Sequence, residues 1–521
     1  MKFFKPDVKI SSTSPPEEIL NSLAGSTLDR VAVLNSVPLH LNFTCADGNG
    51  SQCEDANGTT CEKFTFFKEY KTMITFTEKL NLVCEREVYA AWIRNCYRVG
   101  LAIGYMLTGS CASKFGIKVT TALFVSLHCF TGLLVISVSS EEILIFFMFF
   151  AAVFSASILC LPSIIVCDAV GNKWRTFAMG VVFSFRPVGS LVSQLIQNAF
   201  KNVQGILATV SVLPLIVLIP LLYYKESPNN MPLMTAYSKG EKTLREIAEI
   251  NRCPISSSIK IRPVQILNDN HMPQRPTFCE IWKPVGTRHA YLALVYISYC
   301  MGLWNGILFH YAPKDKVFGY LNAVCQGLGC VLCITLMHFV PHRIIIGISE
   351  FLKCIFVSTL LMCGVYSILN ESMLLLSLTL SAAFVEFLSL TTLDNIIPRM
   401  FPTELRSLGL GLCLGVYHLA HALEVIAQFY YKPTAFYGTF SILFLSFILE
   451  MVACFWLWNV HKRELPDFLE DCVNFNTFYK PTRYFSILDN ASQHEIEVIQ
   501  VNLSTSPRTN PPKKTKFRKT T

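Results

Sequence analysis

Residues 142–166 read EILIFFMFFAAVFSASILCLPSIIV. After Glu142 the stretch carries no charge, and its apolar residues are continuous rather than alternating. About 20 mostly apolar residues span the hydrocarbon core of a bilayer as a helix. A barrel strand would instead alternate with a period of two, so this run is a membrane helix. Working outward, runs of the same kind occupy 88–110, 119–138, 175–198, 204–224, 289–309, 317–340, 344–368, 372–393, 407–429 and 435–459. With 142–166 they make about eleven spans, and the predicted fold is an all-α polytopic membrane bundle.

Composition agrees. The 521 residues are 52% hydrophobic and 15% charged, against about 25% charged in a soluble domain. The formal net charge of +8 is no nucleic-acid signal, because much of it sits in the polar segment 225–287 and in the tail, with its Pro511-Pro512-Lys513-Lys514-Thr515-Lys516. Such a tail either faces an anionic cytosolic leaflet or is simply solvated. There is no Walker loop, no G-x-S-x-G and no H-E-x-x-H. No catalytic residue, cofactor or metal is expected.

The spans fall into two groups, five before the polar segment and six after it. The predicted organisation is an outer segment 1–87, a helical bundle 88–224, a loop 225–287, a second bundle 288–459 and a tail 460–521. The loop holds Lys242, Arg245, Lys260, Arg262, Arg275 and Lys283, and the turns at Lys114–Lys118, Lys173–Arg175, Arg343 and Arg399–Arg406 are also basic. If spans alternate, these lie on one side, which the positive-inside rule makes cytosolic. The tail is then cytosolic and residues 1–87 are extracellular, as for a plasma-membrane protein.

A second signal places the same segment outside. The sequons Asn42-Phe-Thr44, Asn49-Gly-Ser51 and Asn57-Gly-Thr59 share it with Cys45, Cys53, Cys61 and Cys84. Clustered sequons and cysteines suit an oxidising, glycosylated compartment. Four cysteines allow three pairings, and all three stay open. One feature is awkward: residues 1–30 show no signal peptide, and Lys2, Lys5 and Lys9 oppose translocation. Either the helix at 88–110 pulls this segment across, or a span is missing ahead of it.

Several stretches carry a resemblance. Cys61–Arg86 reads CEKFTFFKEYKTMITFTEKLNLVCER, Asp168–Thr176 reads DAVGNKWRT, Lys225–Pro228 reads KESP, and Ala248–Asn251 follows in the loop. Phe401–Gly409 reads FPTELRSLG, and Glu464–Asp467 with Glu470 and Asp471 follow the last span. In order and spacing, over roughly 40–475, these resemble the organic cation, anion and carnitine transporters of the major facilitator superfamily. The resemblance implies two pseudo-symmetric helical halves, a midplane site and alternating access for a small organic ion or zwitterion. In that family a span precedes the glycosylated loop, which favours the missing-span reading. Pro16–Gly25, PEEILNSLAG, resembles the short helix before that span. With no ATP site, any transport runs on gradients or exchange.

The resemblance also assigns residues. The superfamily turn G-x-x-x-D-R-x-G-R-K keeps Gly109, Lys114, Gly116 and Lys118, but has Ser113 for the acid and Ile117 for an arginine. Asp168 and Arg175 retain the charged turn after span four, whereas Arg399 stands where the family has a glutamate and Arg406 follows it. These are the expected gating residues. Their departures keep alternatives open: a non-transporting surface receptor or scaffold, or an inactive form.

For the site, Arg186 lies mid-span beside Pro187. An intramembrane charge is costly and usually faces a pathway or a partner, so Arg186 binds an anionic group or pairs with a neighbour such as Glu386. Tyr417, His421 and Glu424 share a helix face at i, i+4 and i+7, with His418 beside it. His418, His421 and Glu424 form either a polar cluster or, less readily, a metal site. The resemblance puts the family's charge-selecting position at His418 and the cation carriers' second acid at Thr391, which disfavours a dedicated organic-cation carrier. Tyr296, Tyr299 and Trp304 on 289–309 either line a cavity or pack the bundle. Arg94 and Arg98 steer anions or snorkel to the surface.

Overall fold

A computed structural model describes residues 82–138, 140–199, 203–223, 282–311, 316–365, 372–403, 405–430 and 436–461, with short pieces elsewhere. Among these residues the bundle consists of α1 (Glu87–Phe115), α2 (Ile117–Ile136), α3 (Glu141–Ala169) and α4 (Asn172–Ala199). Next come α5 (Val203–Val212), which passes through a 3-10 turn at Leu213–Val217, and α6 (Leu218–Tyr223). The second half contains α7 (Val285–Tyr311), α8 (Lys316–Phe339), α9 (His342–Val365), α10 (Ser372–Met400), α11 (Arg406–Tyr430) and α12 (Phe436–Ala453). With 203–223 taken as one interrupted segment, these are the eleven apolar runs of the sequence. Six of the described helices are long and apolar enough to cross a membrane by length and composition.

Two short antiparallel ribbons lie outside the bundle. β1 (Phe43–Cys45) pairs with β2 (Phe64–Phe66), and β3 (Lys260–Pro263) pairs with β4 (Phe485–Leu488). The second ribbon ties the central polar segment to the tail, so both lie at the same end of the bundle.

The two halves repeat one packing scheme. α1 packs on α3, α2 on α3 and α2 on α5 in the first half; α8 packs on α10, α9 on α10 and α9 on α12 in the second. The halves meet where α1 crosses α11 and α4 crosses α8. Within the second half α7 also packs on α11 and α12.

Glycines make the α1 crossings close. Glycines four apart share a helix face, and without side chains they let backbones touch, the usual device where lipid gives no hydrophobic drive to association. A Cβ on Gly100 would sit 2.6 Å from the Phe149 carbonyl oxygen of α3. On the other side, a Cβ on Gly415 of α11 would lie 2.9 Å from the Ala102 carbonyl oxygen, and Gly411 meets the Tyr105 carbonyl as closely. Gly116, between α1 and α2, has φ 90°, a conformation costly for any residue with a Cβ.

Sequence boundaries shift in two informative places. The run read as 372–393 continues as helix to Met400 with Pro398 inside it, which brings Asp394 and Arg399 into the bundle. The run 204–224 is not one helix. It tightens to 3-10 geometry at Leu213–Val217, where Pro214 cannot donate a helical hydrogen bond.

Candidate functional site

Arg186 is held by α4 and faces α10, across the boundary between the halves. Its Nη1 forms an ion pair with Asp394 Oδ2 at 2.5 Å, with the side chains 14% and 1% exposed. The sequence reading offered Glu386 as partner, and the structure corrects this. Glu386 sits two turns before Asp394 and is rotated away from it on α10, so it meets α9 and pairs with Lys353 at 2.9 Å. Asp394 escaped notice because it lies one residue past the end assigned to that span. An acid at the margin of an apolar run was the available signal.

Aromatic and imidazole groups from α1 and α11 surround the pair. Tyr105 of α1, Tyr417 of α11 and Cys330 of α8 lie within electrostatic reach of the guanidinium. The His418 ring stacks on Tyr105 with centroids 5.1 Å apart and planes 8° from parallel, and Tyr417 meets it edge-on at 5.0 Å. His421, one helical turn from Tyr417, is buried beside Arg98 and His418. Among the described residues, neither ring nitrogen of His421 has a hydrogen-bond partner. An unmatched buried polar group normally costs about 1–3 kcal/mol and marks a place where a ligand or water is accommodated. Thr391, one turn before Asp394, contacts Cys330 Sγ at 3.2 Å.

Arg186, Thr391, Tyr417, His418 and His421 therefore come together from α4, α10 and α11. Trp304 does not join them. It packs edge-on against Phe447 of α12 at 5.4 Å, roughly half a turn round α7 from Gly302, which abuts the Tyr417 carbonyl. Tyr299 is half-buried on α7 beside Tyr296, whose hydroxyl donates to the Ser446 carbonyl at 3.4 Å. The Glu424 and Arg94 side chains lie outside the described residues, as do Asn42, Asn49, Asn57, Cys53, Cys61 and the Cys45 side chain. Cys84 is disulfide-bonded.

A second polar cluster closes one end of the bundle. Arg406, at the start of α11, forms an ion pair with Asp168 near the end of α3, and it also donates to Thr403 Oγ1 at 3.1 Å and the Pro466 carbonyl at 3.4 Å. Arg175 Nε donates to the Cys167 carbonyl at 2.8 Å. Arg399 of α10 donates to Thr176 Oγ1 of α4 at 2.8 Å, and Asn395 donates to the Thr176 carbonyl at 3.2 Å. Asp168, Arg175, Arg399 and Arg406 thus assemble in one place, three of them bridging the halves. Arg399 reaches a hydroxyl, which explains why a cation is tolerated there. Lys114 is exposed at the end of α1, and Gly116 shapes the turn rather than bearing a charge.

Two pseudo-symmetric helical halves, a buried charged site at their junction and a polar latch at one end are the architecture of a membrane carrier. The profile of the Major Facilitator Superfamily matches residues 86–423, and the chain belongs to that superfamily. Among curated relatives, it is 22% identical over 427 residues to the steroid transmembrane transporter SLC22A24 of Rattus norvegicus, covering 77% of this chain and 73% of that one. It is 22% identical over 362 residues to solute carrier family 22 member 3 of Mus musculus, covering 66% and 62%. Solute carrier family 22 member 16 of Xenopus laevis is 23% identical over 352 residues, covering 64% and 59%. The chain thus spans less than two thirds of the length of the last two. Among solved structures, the proton:xylose symporter XylE aligns with TM-score 0.58 at 13% identity, covering 72% of this chain and 88% of that one. The human organic anion transporter MFSD10 aligns with TM-score 0.52 at 14% identity, covering 73% and 87%. At these identities the structures establish the fold.

Proposed function

We propose that this protein is a secondary-active carrier of an organic anion or zwitterion that works by alternating access. The observation that carries the reading is the Arg186–Asp394 pair at the junction of the halves, beside the unpartnered ring nitrogens of His421. Arg186 and Asp394 present one charge of each sign at the junction, and Arg98 lies close to His421. An anionic group is attracted there, and a zwitterion can engage Arg186 and Asp394 together. Tyr105, Tyr417 and the His418 ring offer flat faces for an apolar body.

The latch supplies the second element of alternating access. Asp168–Arg406 and Arg399–Thr176 both cross between halves, so the bundle is closed at that end. Breaking these contacts while the halves rock about the midplane pair exposes the site to the other side. The basic turns assign the latched end to the cytosol. The pairing of Lys260–Pro263 with Phe485–Leu488 supports the reading that the central loop and the tail share the cytosolic side, with residues 1–87 extracellular at the plasma membrane.

The test is uptake of a mixed pool of small metabolites into proteoliposomes holding the purified full chain. At least one organic anion or zwitterion is expected to accumulate above empty vesicles, and Arg186→Gln is expected to abolish that accumulation. A folded protein that binds such compounds and moves none of them would instead establish a receptor.

A further inference from the structure

The second half contains a buried charge cluster that the central site does not use. Lys353 Nζ of α9 lies 3.0 Å from Glu350 Oε1 and 2.9 Å from Glu386 Oε2 of α10, and all three side chains are 0–1% exposed. Glu450 of α12 is wholly buried and faces Glu350, Lys353 and Cys300. Among the described residues, neither carboxyl oxygen of Glu450, nor Oε2 of Glu350, meets a hydrogen-bond donor. Tyr296 and Cys300 from α7, Cys354 from α9 and Cys454 after α12 complete the titratable surroundings. The Phe447 ring lies 5.9 Å from the ammonium, within the apolar layer of Trp304, Val357 and Leu443.

Charge decides what this cluster holds. Three ionised carboxylates beside one ammonium leave two uncompensated negative charges in an apolar interior. Each such charge costs several kcal/mol, and a group so placed takes up a counter-ion or a proton instead. A metal ion would need several free oxygens, but the ammonium already holds the position between Glu350 and Glu386 and repels a second cation. Facing carboxyl groups ease the conflict by sharing a proton, which cuts the excess to one negative charge.

We propose that this cluster is a proton-binding site: Glu450 carries an exchangeable proton that it donates to Glu350, and Lys353 is the fixed counter-charge for Glu350 and Glu386. The proton comes from and returns to water, and no covalent bond is made. Loss of the proton adds a negative charge between α9 and α12, next to α7, whose Gly302 abuts α11 at Tyr417. That the proton drives the carrier rests on the transport reading; that Glu450 holds it does not.

The test is infrared difference spectroscopy of the purified full chain in lipid nanodiscs without substrate, with pH as the only variable. At neutral pH the wild type is expected to show the carbonyl stretch of an un-ionised carboxylic acid, which shifts in heavy water and disappears at alkaline pH. Glu450→Gln, which has the shape of the protonated side chain, is expected to lose that band, and Glu350→Gln to shift it by replacing a charged acceptor with a neutral amide oxygen. Glu142→Gln, at an exposed acid, leaves it unchanged. The proposal is overturned if the wild type shows no such band, if Glu450→Gln keeps it at full size, or if sodium chloride removes it at constant pH. The wild-type spectrum decides even if a variant fails to fold. Because no substrate is used, a negative result leaves the transport reading intact.

Discussion

Replacing Asp394 by Asn leaves the Arg186 guanidinium in the bundle without its counter-charge. Breaking a buried ion pair from one side costs about 3–5 kcal/mol. The geometry makes the two single losses unequal, because Arg186 is 14% exposed and Asp394 is 1% exposed. Asp394→Asn therefore belongs near the lower figure, about 3 kcal/mol, since the stranded guanidinium retains some solvent contact. Arg186→Gln strands a carboxylate with no solvent contact, which costs up to about 5 kcal/mol while ionised and less once it takes up a proton, an escape an arginine lacks. For cooperative units of roughly the size of one half, about 2–4 °C per kcal/mol converts the first figure to a loss of about 6–12 °C. The double variant Arg186→Gln/Asp394→Asn strands no charge and is expected to lose far less than the sum of the two single losses. The assay is thermal unfolding of the four proteins in one detergent, followed by intrinsic fluorescence. If the two single losses simply add in the double variant, the buried pair is not what organises this site.

Three further outcomes follow from the same geometry. His418→Phe keeps the stack on Tyr105 and should leave stability within about 1 kcal/mol, whereas His418→Ala should change substrate preference or the pH profile of uptake; unaltered uptake of every transported compound by both variants would remove His418 from the site. Asp168→Asn should loosen the latch and increase maleimide labelling of Cys167, which is fully buried and lies 4.0 Å from the Pro398 carbonyl; unchanged labelling would show that Arg406 does not hold the halves. Gly411→Leu should separate α1 from α11 and destabilise by about 1–3 kcal/mol or more, read as loss of folded protein on size exclusion.

The fold was legible because membrane helices are written in composition. Stretches such as 142–166 have no alternative use in water, and each apolar run except the interrupted 204–224 became one helix. Their ends were less legible, because a charge normally terminates an apolar run. Asp394 and Arg399 are tolerated inside α10 only through Arg186 and Thr176 on α4, partners more than 200 residues away that no local window contains. The site was half visible for the same reason. Arg186 stood out as a lone intramembrane charge, and the spacing of Tyr417 and His421 put them on one face. Which neighbour Arg186 selects depends on the rotation of α10. Trp304 looked equivalent to Tyr417 as an aromatic in a span, yet half a turn of α7 sends it into the packing around Phe447. The Lys353 cluster had a sequence signal, Glu350 and Lys353 one turn apart within an apolar run, but Glu450 enters only through the packing of α12 on α9.

Counterflow tests the carrier account most directly. Proteoliposomes are preloaded with an unlabelled transported anion or zwitterion, diluted into a trace of the labelled compound, and followed over time. A single site that alternates between the two faces predicts a transient rise of label inside above its equilibrium value, absent in Arg186→Gln. Label that climbs steadily to equilibrium without overshoot, or that never enters, would contradict alternating access through the Arg186–Asp394 junction.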